Sequence, residues 1–185
     1  METEMANVPV SVVPDGVQGI FLVKKSLNLL NQRFILVQDH NDRGTGTGIR
    51  KCGLSGGKIE EGETPELALR RETNEEIGLE DFAFIRFGSF PKTRPNGFVN
   101  NNTLFIVKID NTLNLETNDP KEVSKICVFT LKEIIRLNER GYIHEGSIRL
   151  IFHFLNGTRG SVSLNLPVKL KFVSYIRWFI EGLFQ

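Results

Sequence analysis

The 185 residues are 40% hydrophobic and 24% charged, with two cysteines. That composition excludes a disordered chain, a collagen-like repeat and a disulfide scaffold, and the length suits one domain, or one domain with an extension. The formal net charge is +1, but it is segregated: residues 58–81 hold nine acids and three bases, a net of −6, and the rest of the chain carries +7.

The first seven residues are acidic and lack the basic start and long apolar run of a secretory signal. No run of about 18 uncharged apolar residues occurs, so no membrane span is expected. Cys52 and Cys127 match neither a zinc spacing nor a CxxC pair, and are expected to pack as reduced, small apolar side chains in a cytoplasmic protein. Residues 17–24 and 33–38 are short β-branched runs and read as strands. A loop follows over 39–48; Gly44, Gly46 and Gly48 alternate in it, but no Lys-Ser/Thr follows as in a P-loop. A helix is expected over 65–77, with Thr64 as its cap, Pro65 in the first position, Glu66 at the positive end and Gly78 as its stop. Strands are expected at 82–90, 103–109 and 125–130. Thr130 and Glu133 form a capping box that opens a helix toward Arg140, with Gly141 as its stop, and a short apolar helix covers 147–155.

This order indicates an α+β sandwich or an α/β/α layer arrangement, with no internal repeat and no obvious second domain. Residues 158–185 form an extension: 161–166 alternates like a strand, and 170–184 has helical spacing of apolar residues. That last helix is expected to pack on the domain or on a second subunit of a homodimer rather than on a membrane surface. The +7 is scattered and accompanies no aromatic–basic module, so neither nucleic acid nor membrane is an expected partner.

The acidic island marks either a solvated helix or a place where cations are wanted. At about 100° per residue, Glu72, Glu75 and Glu76 fall within an arc roughly 100° wide. Ala68 lies in the middle of that arc, where its small side chain leaves room beside the carboxylates. Leu69, Thr73 and Ile77 form a stripe that faces the core, and Arg70 and Asn74 project away. Carboxylates at i, i+3 and i+4 repel one another by a few tenths of a kcal/mol per pair, about what a stabilising pair contributes. A divalent cation reverses that sign, and hard oxygen ligands suit Mg²⁺ or Mn²⁺. Gly56 and Gly57 let backbone approach a ligand, and a carbonyl there can join a metal shell. Arg71 can pair with Glu63, holding the loop against the helix. Lys58 can reach a phosphate, and Arg50 is a second candidate cation for the substrate.

The run Gly57-x5-Glu63-x7-Arg71-Glu72-Thr73-x-Glu75-Glu76-x-Gly78-Leu79 resembles the signature of the Nudix hydrolases. It departs at Thr73, where the family usually has an aliphatic residue, and Ser55 stands where many members have Pro. The order of elements fits the family from about residue 15 to 157, with the extension outside the match. The resemblance implies an α+β Nudix fold over 15–157, a mixed sheet sandwiched between helices (α/β/α), and a Mg²⁺- or Mn²⁺-dependent hydrolase of nucleoside diphosphates linked to another group. It implies that Glu72, Glu75, Glu76 and the carbonyl of Gly56 or Gly57 hold metal, with Glu63 and Arg71 orienting the motif. Glu72 is the leading candidate to take the proton from the attacking water. Glu122, just before the 125–130 strand, is the outside candidate for that role and for metal. A Nudix domain that binds a nucleotide without cleaving it is the rival, and the complete set of glutamates argues against it.

The histidines are scattered. His144 is expected in a loop, and His153 as a packing residue in an apolar helix. Pro95 stands one position off the proline of ADP-ribose-cleaving relatives, and 94–97 reads equally as a turn. Phe90 and Phe98 are candidates for base stacking. These signals assign a reaction class and no particular nucleotide.

Overall fold

The computed structural model describes residues 15–23, 29–40, 48–93, 99–110 and 115–157. The expected elements at 161–166 and 170–184, Pro95, Phe98 and most of the glycine-rich loop lie outside these residues. The chain divides into two compact units, Met1–Ile151 and Phe152–Gln185. Of the second, only 152–157 is described, as the end of the last helix.

The described residues form six strands: β1 (Gly16–Val23), β2 (Arg33–Asp39), β3 (Cys52–Gly53), β4 (Phe84–Thr93), β5 (Val99–Ile109) and β6 (Val123–Thr130). Three α-helices accompany them among the described residues: α1 (Pro65–Ile77), α2 (Leu131–Glu139) and α3 (Glu145–Gly157). The sheet runs β3-β2-β1-β5-β4, and β6 pairs with β2. β1 and β5 are parallel, with Ile20 opposite Ile106, and every other pair is antiparallel, so the sheet is mixed.

Period-two alternation divides the apolar side chains between two faces. Val17, Phe21, Ile35, Val37, Phe105 and Val107 share a core cluster with Ala68, Leu69 and Ile77 of α1. Ile20, Phe34, Leu36, Leu104 and Ile106 point the other way and are equally buried, as are Leu131 and Ile134 of α2 and Ile148 and Ile151 of α3. The result is the expected sheet between helices. An aromatic chain, Phe21–Phe82–Phe84–Phe105, with centroid spacings of 6.3, 5.9 and 5.3 Å, tethers the start of β4 to the first core.

Four elements differ from the sequence expectation. β3 is two residues long and has no periodicity to read. β4 starts and ends later than expected and β5 starts four residues early, because 91–93 and 99–101 pair with each other and β1 supplies further backbone partners to Asn101 and Asn102, residues that disfavour strands. A bulge interrupts β4 between Arg86 and Gly88. Finally, α3 starts at Glu145, two residues early, with the His144 carbonyl accepting from Ile148 N–H at 3.1 Å.

Candidate active site

The site is built on α1, whose limits are set locally. Thr64 accepts from Leu67 N–H at 3.3 Å, Pro65 occupies the first position, and Gly78 closes the helix at φ 69°. Ala68, Leu69, Thr73 and Ile77 are fully buried, which fixes the rotation of the helix. Ala68 therefore belongs to the core. The buried face is thus wider than the expected stripe. With that face inward, Glu76 is also buried, Glu72 lies at the boundary with 12% of its side chain exposed, and Glu75 is 46% exposed. Arg70 projects outward, its guanidinium 5.2 Å from the rings of Phe82 and of Phe84.

Opposite the glutamates runs the 55–57 segment, which extends the edge of β1. Val17 N–H donates to the Gly57 carbonyl and Gly19 N–H to the Ser55 carbonyl, both at 2.9 Å. Glu76 Oε2 accepts from Gly56 N–H at 2.9 Å, which ties helix to segment and partners a buried carboxylate. The two glycines are required for different reasons. Gly56 has φ 138°, and a Cβ there would meet the backbone oxygen of Val17 at 2.2 Å. At Gly57 the added Cβ would meet Glu72 Oε1 at 2.2 Å. The Glu72 carboxylate thus lies directly against the glycine backbone.

Arg71 links the parts. Its Nε and Nη2 each bond the Glu63 carboxylate at 3.1 Å, and Nη2 also donates to the Lys58 carbonyl at 2.9 Å. Nη1 reaches Glu72 at 2.8 Å and Glu75 at 3.2 Å. The expected Glu63–Arg71 pair is therefore present, and the same guanidinium bridges two of the island's carboxylates. The Arg71 bonds hold the Glu63 carboxyl below its ordinary pKa. Glu72 is shifted the other way. Burial raises its pKa, Arg71 opposes that, and the charges of Glu75 and Glu122 add to the rise.

Glu122 lies 50 residues beyond Glu72 in sequence. The 115–122 segment makes the connection. Thr117 Oγ1, Asn118 N–H and Asp119 N–H all donate to the Glu75 carbonyl, at 3.2, 2.8 and 2.9 Å. Asn118 Nδ2 donates to the carbonyl and side-chain oxygen of Asn74, each at 3.0 Å. Asn74 is thus covered by the segment, where solvent was expected. These residues were not singled out from the sequence, although Asn118-Asp119-Pro120 is turn chemistry.

Lys58 is exposed beside Gly57. Arg50 is exposed two residues before β3, where its carbonyl faces the Gln38 amide at 3.5 Å, and no described contact brings its side chain to the glutamates. His144 stands at the start of α3, where Nε2 pairs with buried Asp39 of β2. It is engaged away from the island, and His153 is half-buried within α3. Among the described residues, no three His, Cys, Asp or Glu side chains are gathered as a ligand set. The Arg71 guanidinium stands between Glu72 and Glu75, paired with both.

Among the described residues, no helix is long and apolar enough to cross a membrane. The NUDIX domain family matches residues 17–151. In three dimensions the chain is similar to the NUDIX domain of Shewanella oneidensis NrtR complexed with ADP ribose. That likeness has 14% identity and a TM-score of 0.61, covering 80% of this chain and 89% of that one. A NUDIX hydrolase from Nitrosomonas europaea is similar at 20% identity and a TM-score of 0.61, covering 80% of this chain and 93% of that one. A C. elegans Ap4A hydrolase is similar at 16% identity and a TM-score of 0.53, covering 77% and 98% respectively. At these identities the likeness is one of fold. No curated protein sequence matches the chain.

Proposed function

The chain belongs to the Nudix family, and on that premise we propose that it is a Mg²⁺- or Mn²⁺-dependent hydrolase. Its substrate is a nucleoside diphosphate linked to another group, cleaved at the pyrophosphate. The observation that carries this reading is the complete set Glu72, Glu75 and Glu76 on one flank of α1, set against a glycine pair so closely that a Cβ on Gly57 would lie 2.2 Å from Glu72.

The donor set fits a small divalent cation. Carboxylate and carbonyl oxygens are hard ligands, and a helix flank with only a few of them leaves positions for water and phosphate oxygens. Glu72, Glu75 and Glu76 would hold it together with one glycine carbonyl. Gly56 is the better of the two, since the Gly57 carbonyl already accepts the Val17 N–H. When bound, the cation neutralises pyrophosphate charge and aligns the reacting oxygens, the main requirement of phosphoryl transfer.

The remaining work belongs to the chain's own side chains. The Glu72 carboxylate takes the proton from the attacking water; in the chain alone, burial raises its pKa and Arg71 opposes the rise. Glu122, whose charge reaches Glu72, is the second acid of the site. Lys58 contacts a substrate phosphate, and Arg50 supplies a more distant positive charge. Two bonds to Glu63 hold Arg71 in place, so that it would stay anchored if Glu72 and Glu75 turned to a cation.

One observation favours a second reading, a Nudix domain that binds nucleotide without cleaving it. The Arg71 guanidinium already partners two of the three carboxylates. A panel of NTPs, oxidised dNTPs, ADP-ribose, NADH, dinucleoside polyphosphates and nucleotide sugars, assayed with Mg²⁺ and with Mn²⁺, separates the two. Turnover of at least one compound, abolished in folded Glu75→Gln, supports the hydrolase. Binding without turnover, at equal affinity in the variant, supports the binding module.

A further inference from the structure

We infer that Thr117, Asn118 and Asp119 form a clamp on the last turn of α1, in which Asp119 is the positioning residue that fixes Glu122 beside Glu72. The inference rests on the hydrolase reading for its consequence in catalysis, and on hydrogen bonds alone for the clamp.

Helix ends leave carbonyls without intrahelical partners, and these are commonly satisfied by a glycine-centred turn. Here Gly78 N–H satisfies the Asn74 carbonyl at 2.9 Å. The Glu75 carbonyl is then taken by three donors from a segment more than 40 residues away, Thr117 Oγ1 and the backbone amides of Asn118 and Asp119. Asn118 adds both Asn74 oxygens. Gly78 allows the approach, since a Cβ there would lie 2.1 Å from the Glu116 carbonyl oxygen. The acceptor is the backbone of Glu75 itself, so the segment is anchored to a residue whose side chain belongs to the carboxylate set.

From that anchor the chain is carried to Glu122 by Asp119. Its Oδ1 accepts from Lys121 N–H at 3.0 Å and shares the Glu122 N–H with its own carbonyl, each at 3.3 Å, and that carbonyl also accepts from Val123 N–H at 3.0 Å, where β6 begins. On the far side, the Glu122 carbonyl accepts from His40 N–H at 2.8 Å. Glu122 is therefore held at both its amide and its carbonyl, with an exposed side chain whose charge is felt at Glu72. An acid is an unfavourable choice at a helix C-terminus, where the macrodipole is negative. Its acceptor oxygen, rather than its charge, explains its place, and asparagine supplies the same oxygen.

The test uses the full chain with Asp119→Ala, Asp119→Asn, Glu122→Gln and the double variant Asp119→Ala/Glu122→Gln. For whichever panel compound is turned over, Asp119→Ala should lower kcat/KM about as much as Glu122→Gln. Displacement of a reacting group by about 1 Å costs on the order of 100-fold. Asp119→Asn should stay within about twofold of wild type, because the acceptor remains. The double variant should be no worse than Glu122→Gln alone, as expected when two residues act through one group. Additive losses, or wild-type kcat/KM in Asp119→Ala, would overturn the inference. Amide exchange tests the clamp without turnover: Asp119→Ala should deprotect Lys121, and Glu122 less, because the Asp119 carbonyl still accepts its N–H, while the α1 amides keep their rates. Unchanged exchange at Lys121 sinks the clamp even if the protein is a hydrolase. Deprotection in a protein with no turnover sinks the hydrolase reading and leaves the clamp.

Discussion

Alanine at each of the two adjacent glycines separates the fold from the chemistry. At Gly56 the new Cβ meets the backbone of β1, Val17 O at 2.2 Å and Gln18 Cα at 2.8 Å, in a residue with φ 138° that L side chains rarely adopt. Backbone strain of this kind costs about 1–3 kcal/mol, and overpacking against atoms that cannot rotate adds about as much again. At roughly 2–4 °C per kcal/mol for a domain of this size, Gly56→Ala should lower Tm by on the order of 10 °C. Gly57→Ala is different. Its φ is not in the left-handed range, and the three nearest atoms belong to the Glu72 carboxylate, at 2.2, 2.5 and 2.6 Å. Regaining ordinary contact at 3.4 Å requires that carboxylate to move by about 1.2 Å. The side chain can swing toward solvent, so Tm should fall by only about 2–4 °C, for a cost near 1 kcal/mol. A reacting group displaced by about 1 Å costs on the order of 100-fold in rate. The assay pairs thermal melts with kcat/KM on the panel compound turned over by the wild type. Gly57→Ala with wild-type kcat/KM would refute the placement of Glu72 at the reacting centre. A Tm loss as large as that of Gly56→Ala would refute the separation itself.

Thr73 is fully buried, and its Oγ1 has no hydrogen-bond partner among the described residues, at the position where the family usually carries an aliphatic side chain. Thr73→Val removes an unsatisfied hydroxyl at nearly constant volume. It should stabilise by about 1–2 kcal/mol, read as a rise in the midpoint of urea unfolding with an unchanged m-value, and a fall would contradict it. The Glu63 carboxyl has a lowered folded pKa, chiefly through Arg71. Its stabilisation is therefore complete above the ordinary carboxylate pKa and is lost as pH falls through the lowered one. The Tm gap between wild type and Glu63→Gln should be constant at neutral pH and close in acid, whereas a gap that widens in acid would reverse the sign. Gly78→Ala meets Glu116 O at 2.1 Å as well as a positive φ, so it should deprotect the amides of 117–119 in hydrogen exchange. Unchanged protection there would show that the segment does not depend on close approach at Gly78.

The parts legible in the sequence are those fixed by local physics. Helix α1 was readable because Thr64, Pro65, Glu66 and Gly78 supply its cap, first position, dipole and stop within 15 residues. The same holds for Thr130 and Glu133, whose reciprocal bonds are both present. The Glu63–Arg71 pair followed from spacing across a loop and two helical turns. Tertiary partners decided the rest. Asn101 and Asn102 lie in a strand because β1 and β4 flank them, not because asparagine favours one. Ala68 reads as small on a wheel, and only the sheet beneath α1 makes it core. The Thr117–Glu122 turn was visible as composition, yet nothing local reveals that the Glu75 carbonyl is what it grips.

Hydrolysis in H₂¹⁸O tests the central claim most directly. The wild-type protein and Glu76→Gln are each incubated with Mn²⁺ and the panel, and the products are read by ³¹P NMR for the isotope shift on phosphorus. The account predicts that the wild type splits a pyrophosphate bond with ¹⁸O on one product phosphate, and that folded Glu76→Gln forms none. Tight nucleotide binding by both proteins with no labelled phosphate from either would contradict it.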